Sequence, residues 1–457
     1  MYDLSKEFNT FYEEHVKLPL NEQQELRKKR DLNLERLRSG LAEYNSENKK
    51  EYKIAETRTQ GSMAMHTTVQ NDQKDYDIDV AVVFEKDNLN GLGPLAARNM
   101  VAAALKKKCK SFNVEPQVKT NCVRIVYADG YHVDFAVYRR YKENSSDTEY
   151  KYEHAGSSWT SRNPAAINDW FCDEIKEHGD NLRKVIRLSK MFCKSRSFWV
   201  KMAAGLIQTV VCDEKIQSYD RLDEGFYYTM KEVYNRLEGS IEVKNPTDST
   251  ISLLQTEEHK TKVSNWKNRL GEKLAVLEVL FDDDCTKVKA KDAWYKFFNH
   301  NFWYEDTSAF VESASLSKSY EVRRSFRNTE QFIEDDYIMD EQYMMRLKCI
   351  ISRNGFREAP IPEFLKRCLG GRLPHGCSID CTMEWTDAPS YDKVLWKVRN
   401  IGRLAEERDM IRGKIEARGT KIHEHSDFYG SHYIECYLVK GNRCIAVGHV
   451  EIPIDNE

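Results

Sequence analysis

The sequence predicts an α/β (α+β) fold in three parts: a small mixed core over residues 1–165, a helical lobe over 166–335 and an α+β domain over 340–457. Three observations predict it. At 457 residues the chain is too long for one compact core. Its apolar periodicity switches from helical to strand-like and back within the first 150 residues. After a long helical middle, a polar and aperiodic stretch at 313–340 reads as a linker, and strand signals then return.

Each element has a local reason. Residues 5–45 repeat apolar positions at helical spacing and read as one or two entry helices. YKIAETRTQGSM ends in a glycine turn, and YDIDVAVVF is a short strand whose second half is wholly apolar, as in a strand covered on both faces. PLAARNMVAAALKKKCK is helical. NVEPQVK, CVRIVYA and YHVDFAVYRR are strand-like, and Asp129-Gly130 between the last two is a hairpin signal. From 163 to 299 the pattern is helical, opening at Asn163-Pro164 and strongest in LRKVIRLSKMFCKS and WKNRLGEKLAVLEVLF. YMMRLKCIISRNG and HYIECYLVKGNRCIAVGHVEIPI are strands, with a hairpin expected at Gly441-Asn442.

Composition narrows the function classes. A net charge of -3 with 31% charged and 40% hydrophobic residues gives no overall basic field, so there is no strong nucleic-acid signal and any polyanion site must be a local cluster. No apolar run is long enough to cross a bilayer and the start lacks a signal-peptide pattern, so no membrane partner and a cytoplasmic location are expected. The twelve cysteines are scattered through apolar runs and suit free buried thiols better than a disulfide framework. His375-Gly-Cys377-Ser-Ile-Asp-Cys381 lacks a second matching pair and reads as small core residues around a turn rather than a metal site.

The chemistry lies in the first part. Two-metal phosphoryl transfer needs carboxylates that hold divalent ions roughly 3.5–4 Å apart, and Mg²⁺ wants hard oxygen ligands. Asp77 and Asp79, two apart at the opening of an apolar strand, point to one face and can chelate together; Asp75 shares their parity but reads as the solvated start. Gly61-Ser62 precedes Asp77 by 16 residues. Glycine lets a backbone approach a triphosphate, and the hydroxyl and N–H groups supply donors. Asp134 interrupts a second apolar strand, and a buried carboxylate needs a partner: a metal shared with Asp77 and Asp79, or a salt bridge to Arg124, Arg139 or Arg140. Arg183, Arg187, Lys190 and Lys194 fall on one helix face, where they either grip a triphosphate or form a solvated face opposite Leu182, Val185, Ile186 and Phe192.

GSMAMHTTV, DYDIDVAVVF and VDFAVY together resemble the cGAS/DncV-like nucleotidyltransferases (CD-NTases) of the polymerase-β superfamily, over about residues 1–335 and including the Asn245-Pro246 turn. The resemblance implies a polymerase-β-like core in which Asp77, Asp79 and Asp134 are catalytic and bind two Mg²⁺ ions, with Mn²⁺ as a substitute. Asp134 would also help activate the attacking ribose hydroxyl. Gly61, Ser62 and Lys190 would hold the donor triphosphate, with Arg187 and Lys194 beside them. Relatives often carry Pro-Ser-Gly where this chain has Ala203-Ala204-Gly205, which removes a hydroxyl contact. The family makes cyclic di- or trinucleotide second messengers from ATP, GTP or other NTPs in anti-phage defence, read by a separate effector protein. The alternatives are synthesis of linear oligonucleotides, modification of protein or tRNA, and a catalytically silent nucleotide-binding switch.

VLWKVRNIGRLAEERDMIRGKI and FYGSHYIECYLVKGNRCIA resemble the AGS-C domain, over about 343–453, a family proposed to act as a sensor. A ligand of this domain is therefore expected. Trp396, Lys397, Arg399, Arg412, Lys414 and His432 offer aromatic and cationic groups to a nucleotide or phosphate, and equally the composition of a domain interface.

Overall fold

The structure, a computed structural model, describes residues 1–71, 74–109, 115–304, 330–368, 371–400, 405, 410–427, 430 and 432–454. Most of the expected linker lies outside these residues. The chain divides into two compact units, Met1–Ile54 with Gln60–Ser319, and Ala55–Thr59 with Tyr320–Glu457. Among the described residues no helix is long and apolar enough to cross a membrane.

The first unit opens with α1 (Ser5–Phe11) and α2 (Leu20–Asn48), followed by β1 (Ile54–Gln60) and the single turn α3 (Gly61–Ala64). Then come β2 (Asp77–Glu85), α4 (Pro94–Lys108), β3 (Gln117–Val118), β4 (Val123–Val126), β5 (His132–Tyr141), β6 (Lys151–Ala155) and β7 (Trp159–Ser161). β2 runs parallel to β5, and β5 pairs antiparallel with β4 and, further along, with β6. Ile78, Val80, Ala81, Val82, Val83 and Phe84 of β2 are all buried, which is why this strand reads as a continuous apolar run. The β4–β5 turn closes at Gly130 with φ +94°, as Asp129-Gly130 predicts. α2 packs so closely on α4 that a Cβ at Gly40 would lie 1.9 Å from the Ala104 carbonyl oxygen.

The helical part comprises α5 (Ala166–His178), α6 (Asp180–Lys194), α7 (Gly205–Lys215), α8 (Leu222–Gly239), the hairpin β8 (Lys244–Asn245) and β9 (Asp248–Ser252), α9 (Glu257–Leu277) and α10 (Lys287–Phe298). Its core is aromatic, with Trp266, Trp294, Phe297, Phe298 and Trp303 buried. Phe8 of α1 joins it edge-on to Trp294, the ring centroids 4.8 Å apart. The first entry helix thus serves the helical core.

The second unit holds α11 (Ile333–Asp336), β10 (Ile338–Met339), β11 (Met345–Arg353), β12 (Phe356–Pro360), α12 (Ile361–Leu365) and β13 (Ser378–Thr386). β14 (Lys393–Asn400), β15 (Arg412–Ala417), β16 (Lys421–His425), β17 (His432–Lys440) and β18 (Arg443–Ile452) complete it. These strands make a five-stranded sheet, β10-β18-β17-β14-β15, and a four-stranded one, β12-β11-β13-β16. The two share an apolar core that includes Ile351, Ile379, Trp396, Ile434, Leu438 and Ile445. The β17–β18 hairpin turns at Gly441, φ +59°. One expectation is corrected here. Cys349 and Cys381, opposed in the β11–β13 ladder, form a disulfide; both lie on apolar strands, where sequence alone does not reveal cross-strand register. The other ten cysteines form no disulfide.

Candidate active site

Strand register assembles the acids. Asp79 on β2 stands opposite Asp134 on β5, and Asp134 stands opposite Arg124 on β4. Asp77 lies two residues before Asp79, on the same face. Asp134 is buried and receives both Arg124 Nε (2.8 Å) and Nη2 (2.6 Å). This bidentate fork meets the demand that a buried carboxylate be paired, and it leaves Asp134 on the cleft wall with the other two acids. Asp75 is exposed and meets His132 Nδ1 at 3.2 Å.

Gly61 begins at φ +67°, and a Cβ built on it would lie 2.0 Å from Asp79 Oδ2. No other residue type fits there without moving the acid. The turn that follows is held by Met65 N donating to Gly61 O and Thr67 N donating to Ser62 O, 3.1 and 2.8 Å. Ser62 Oγ lies 2.8 Å from Thr68 Oγ1.

The basic stripe on α6 is largely buried and its members have different partners. Lys190 Nζ, buried, donates to Thr67 Oγ1 at 2.7 Å and to Thr67 O at 3.2 Å. Burial, with Lys194 nearby, pulls its ammonium down to about 7, against the pull of Asp77. Gly205, at the start of α7, leaves room for Lys190: a Cβ there would meet Lys190 Cε at 3.2 Å. Lys194 is exposed and lines the same cleft. Arg187 instead donates from Nη1 to the Tyr12 hydroxyl, outside the cleft lining, and Arg183 pairs with Asp180 at 2.5 Å.

These groups open onto one cleft of about 790 Å³, lined by Gly61, Ser62, Asp77, Asp79, Asp134, Lys190 and Lys194, among others. Thr67, Thr68, Arg162 and Gln208 also line it. Sequence reasoning did not single them out, because no local pattern marks a threonine or glutamine that only the fold brings to a cleft.

The electrostatics test whether a divalent cation fits. Removal from water, then the neighbouring Asp77 and Asp134 carboxylates, push Asp79 up to about 8, more than Arg124 and Arg162 offset. Asp77, Asp79 and Asp134 offer hard oxygen donors to this cleft, which suits Mg²⁺. Glu174, Glu177 and His178 form the one group among the described residues whose ligand atoms lie within 4.8 Å of one another. The three aspartates are spread more widely, with Asp134 turned to Arg124.

In the second unit the six residues singled out by sequence fall into separate settings. Trp396, Arg412 and Lys414 line a cavity of about 260 Å³ with Val398, Gly413, Glu416 and Arg418. Lys397 and Arg399 both bind Glu330, at 2.8 and 2.9 Å. His432 is buried with neither ring nitrogen bonded.

Residues 55–138 match the family model described as cyclic GMP-AMP synthase DncV-like, nucleotidyltransferase domain. Residues 327–455 match the one described as adenylyl/guanylyl and SMODS C-terminal sensor domain. A cyclic GMP-AMP synthase of Escherichia albertii is 22% identical over 410 residues, 86% of this chain and 83% of that protein. The cyclic dinucleotide synthase CdnG of Bradyrhizobium diazoefficiens is 30% identical over 121 residues, 25% of this chain and 27% of that protein. The fold is shared with Vibrio cholerae DncV cyclic AMP-GMP synthase, solved with the linear intermediate 5' pppA(3',5')pG: TM-score 0.53 at 16% identity, over 66% of this chain and 97% of that one. The chain thus carries, in this order, a DncV-like nucleotidyltransferase domain at 55–138 and an AGS-C domain at 327–455.

Proposed function

We propose that the protein joins NTPs, ATP among them, into a cyclic di- or trinucleotide second messenger. One observation carries the reading: three aspartates, the Gly61-Ser62 turn and Lys190 open onto a single cleft. In this reading Asp77 and Asp79 hold two Mg²⁺ ions, or Mn²⁺, and Asp134 joins them. The ions supply charge neutralisation for the attacking and leaving oxygens. Ser62 and the backbone of its turn hold the donor triphosphate, and Lys190 meets its charge from the α6 side. Asp134 orients the ribose hydroxyl and draws on its proton as that oxygen attacks the α-phosphate in line. Pyrophosphate leaves, and the step repeats until the ring closes. Catalysis on these terms is positioning and charge stabilisation. Similarity to cyclic GMP-AMP and cyclic dinucleotide synthases supports the cyclic product. By the same kinship the product acts through a separate effector in anti-phage defence.

The test is incubation of the pure protein with labelled ATP and GTP, then phosphatase. A phosphatase-resistant small product, absent from the Asp77→Ala/Asp79→Ala variant, is expected. A phosphatase-sensitive chain or a labelled macromolecule refutes the cyclic product, and undiminished synthesis by the double variant refutes the site.

A further inference from the structure

β16 lies at the end of the four-stranded sheet, beside β13. Its sequence, Lys-Ile-His-Glu-His, alternates, so strand geometry sends His423 and His425 to one face and Glu424 to the other. Ile422 and Glu424 are buried, and Glu424 binds Arg412 at 2.8 Å. His423 and His425 are exposed. Register sets a polar residue beside each ring: Asp380 stands opposite His423, and Ser378 opposite His425. All four residues belong to the second unit.

The rings are supported from behind and meet in front. Asp380 Oδ1 lies 2.7 Å from His423 Nδ1. An ionised carboxylate only accepts, so Nδ1 carries the proton and the neutral ring presents the lone pair of Nε2. That lone pair faces His425 Nε2 at 3.1 Å. Ser378 Oγ lies 3.5 Å from the other nitrogen of His425, Nδ1.

Two ring nitrogens so placed have two uses. One is a hydrogen bond, with His425 donating. The other is to share a cation: nitrogens 3.1 Å apart, each about 2.0–2.1 Å from an ion, subtend about 100° at it, near the tetrahedral angle of about 109°. The carboxylate behind His423 favours the second use. A carboxylate on the far nitrogen is the arrangement that orients a metal-bound imidazole and raises its basicity, whereas a hydrogen bond between two exposed rings has water as its competitor. Imidazole suits Zn²⁺, Cu²⁺ and Ni²⁺ rather than Mg²⁺, so the chemistry here differs from that of the aspartate cleft.

The geometry points to a surface site for a divalent transition-metal ion of the Zn²⁺ class, with His423 and His425 as ligands through Nε2, Asp380 and Ser378 orienting the rings, and water completing the coordination. This inference is independent of the function proposed above.

The test is titration of Zn²⁺ into the whole chain with Mg²⁺ in excess, bound ion being read by competition with a chromogenic chelator. His423→Gln/His425→Gln should bind one ion fewer per chain than the wild type, because any Zn²⁺ held at the aspartates or at Glu174, Glu177 and His178 is common to both proteins. Asp380→Asn keeps both rings and should weaken the site about 10–100-fold. An equal Zn²⁺ count in wild type and double variant overturns the inference. So does wild-type affinity in Asp380→Asn, which leaves only a chance pair of rings. A second measurement uses the wild-type protein alone. Zn²⁺ at about ten times its Kd should slow diethyl pyrocarbonate modification of His423 and His425 about tenfold, by peptide mass spectrometry. An unchanged rate overturns the site even where a variant melts early.

Discussion

Gly61→Ala perturbs the site at its tightest point. Two costs are separable in the structure. The first is backbone strain: φ is +67°, and a Cβ in the left-handed region costs about 1–2 kcal/mol. The second is steric. The new Cβ would lie 2.0 Å from Asp79 Oδ2 and 3.0 Å from its Cγ, so the carboxylate or the turn must move by about 1 Å, a misplacement that costs about 100-fold where groups must be aligned. Gly91 separates the two, because its φ is +75° with nothing within 4 Å of the added Cβ. Both variants should lose a few degrees of melting temperature, about 2–4 °C per kcal/mol for a body of this size. Gly61→Ala alone should lose about 100-fold in kcat/KM for pyrophosphate release. Retention of activity within threefold (about 0.65 kcal/mol) by Gly61→Ala, or an equal loss in Gly91→Ala, refutes the close approach of turn and acid as the reason for glycine.

Two further perturbations read other parts of the molecule. Lys190 is held down to about 7 by burial and by Lys194, so a bound triphosphate, which favours the ammonium, should draw a proton from solvent. Calorimetry in buffers of different ionisation enthalpy at about pH 7.5 should show this uptake, and Lys190→Ala should abolish it and weaken NTP binding about 10–100-fold, the range for a hydrogen bond to a charged group. His432 is lowered to about 4 by burial first and by Arg412, with Glu424 opposing. The unfolded chain, with an ordinary imidazole, then binds more protons between the two values, so stability is lost as pH falls from about 6.5 towards 4, by roughly 3 kcal/mol at most. Melting curves across that window should flatten in His432→Leu, and an unchanged slope rejects the buried neutral imidazole as the cause.

The fold was legible wherever one period ran long enough. β2 reads as buried on both faces because five of its residues, Val80 to Phe84, are apolar in succession, and they are all buried. The hairpins at Gly130 and Gly441 read because a positive φ there favours glycine. What periodicity leaves out is which elements share a core. α1 looks like a lead-in to the strands, yet Phe8 packs on Trp294, nearly the whole first unit away in sequence. The same blindness covers Cys349 and Cys381, whose bond depends on β11–β13 register, and the attachment of Ala55–Thr59 to a unit that otherwise begins at Tyr320.

At the site, spacing was sufficient where chemistry is local and insufficient where it is not. Asp77 and Asp79 could be paired from sequence because a strand repeats every two residues. Asp134 could be flagged because a carboxylate in an apolar strand demands a partner, but sequence left two partners open, a shared metal or an arginine. The structure shows that these readings are compatible. Arg124 binds Asp134 from the β4 side, while Asp79 on the β2 side is pushed up to about 8 by burial first and then by the Asp77 and Asp134 carboxylates. Asp77 and Asp79 thus lie together on the β2 side of the cleft, with Asp79 against Gly61. Arg124 holds the third acid in place beside them through its bidentate fork.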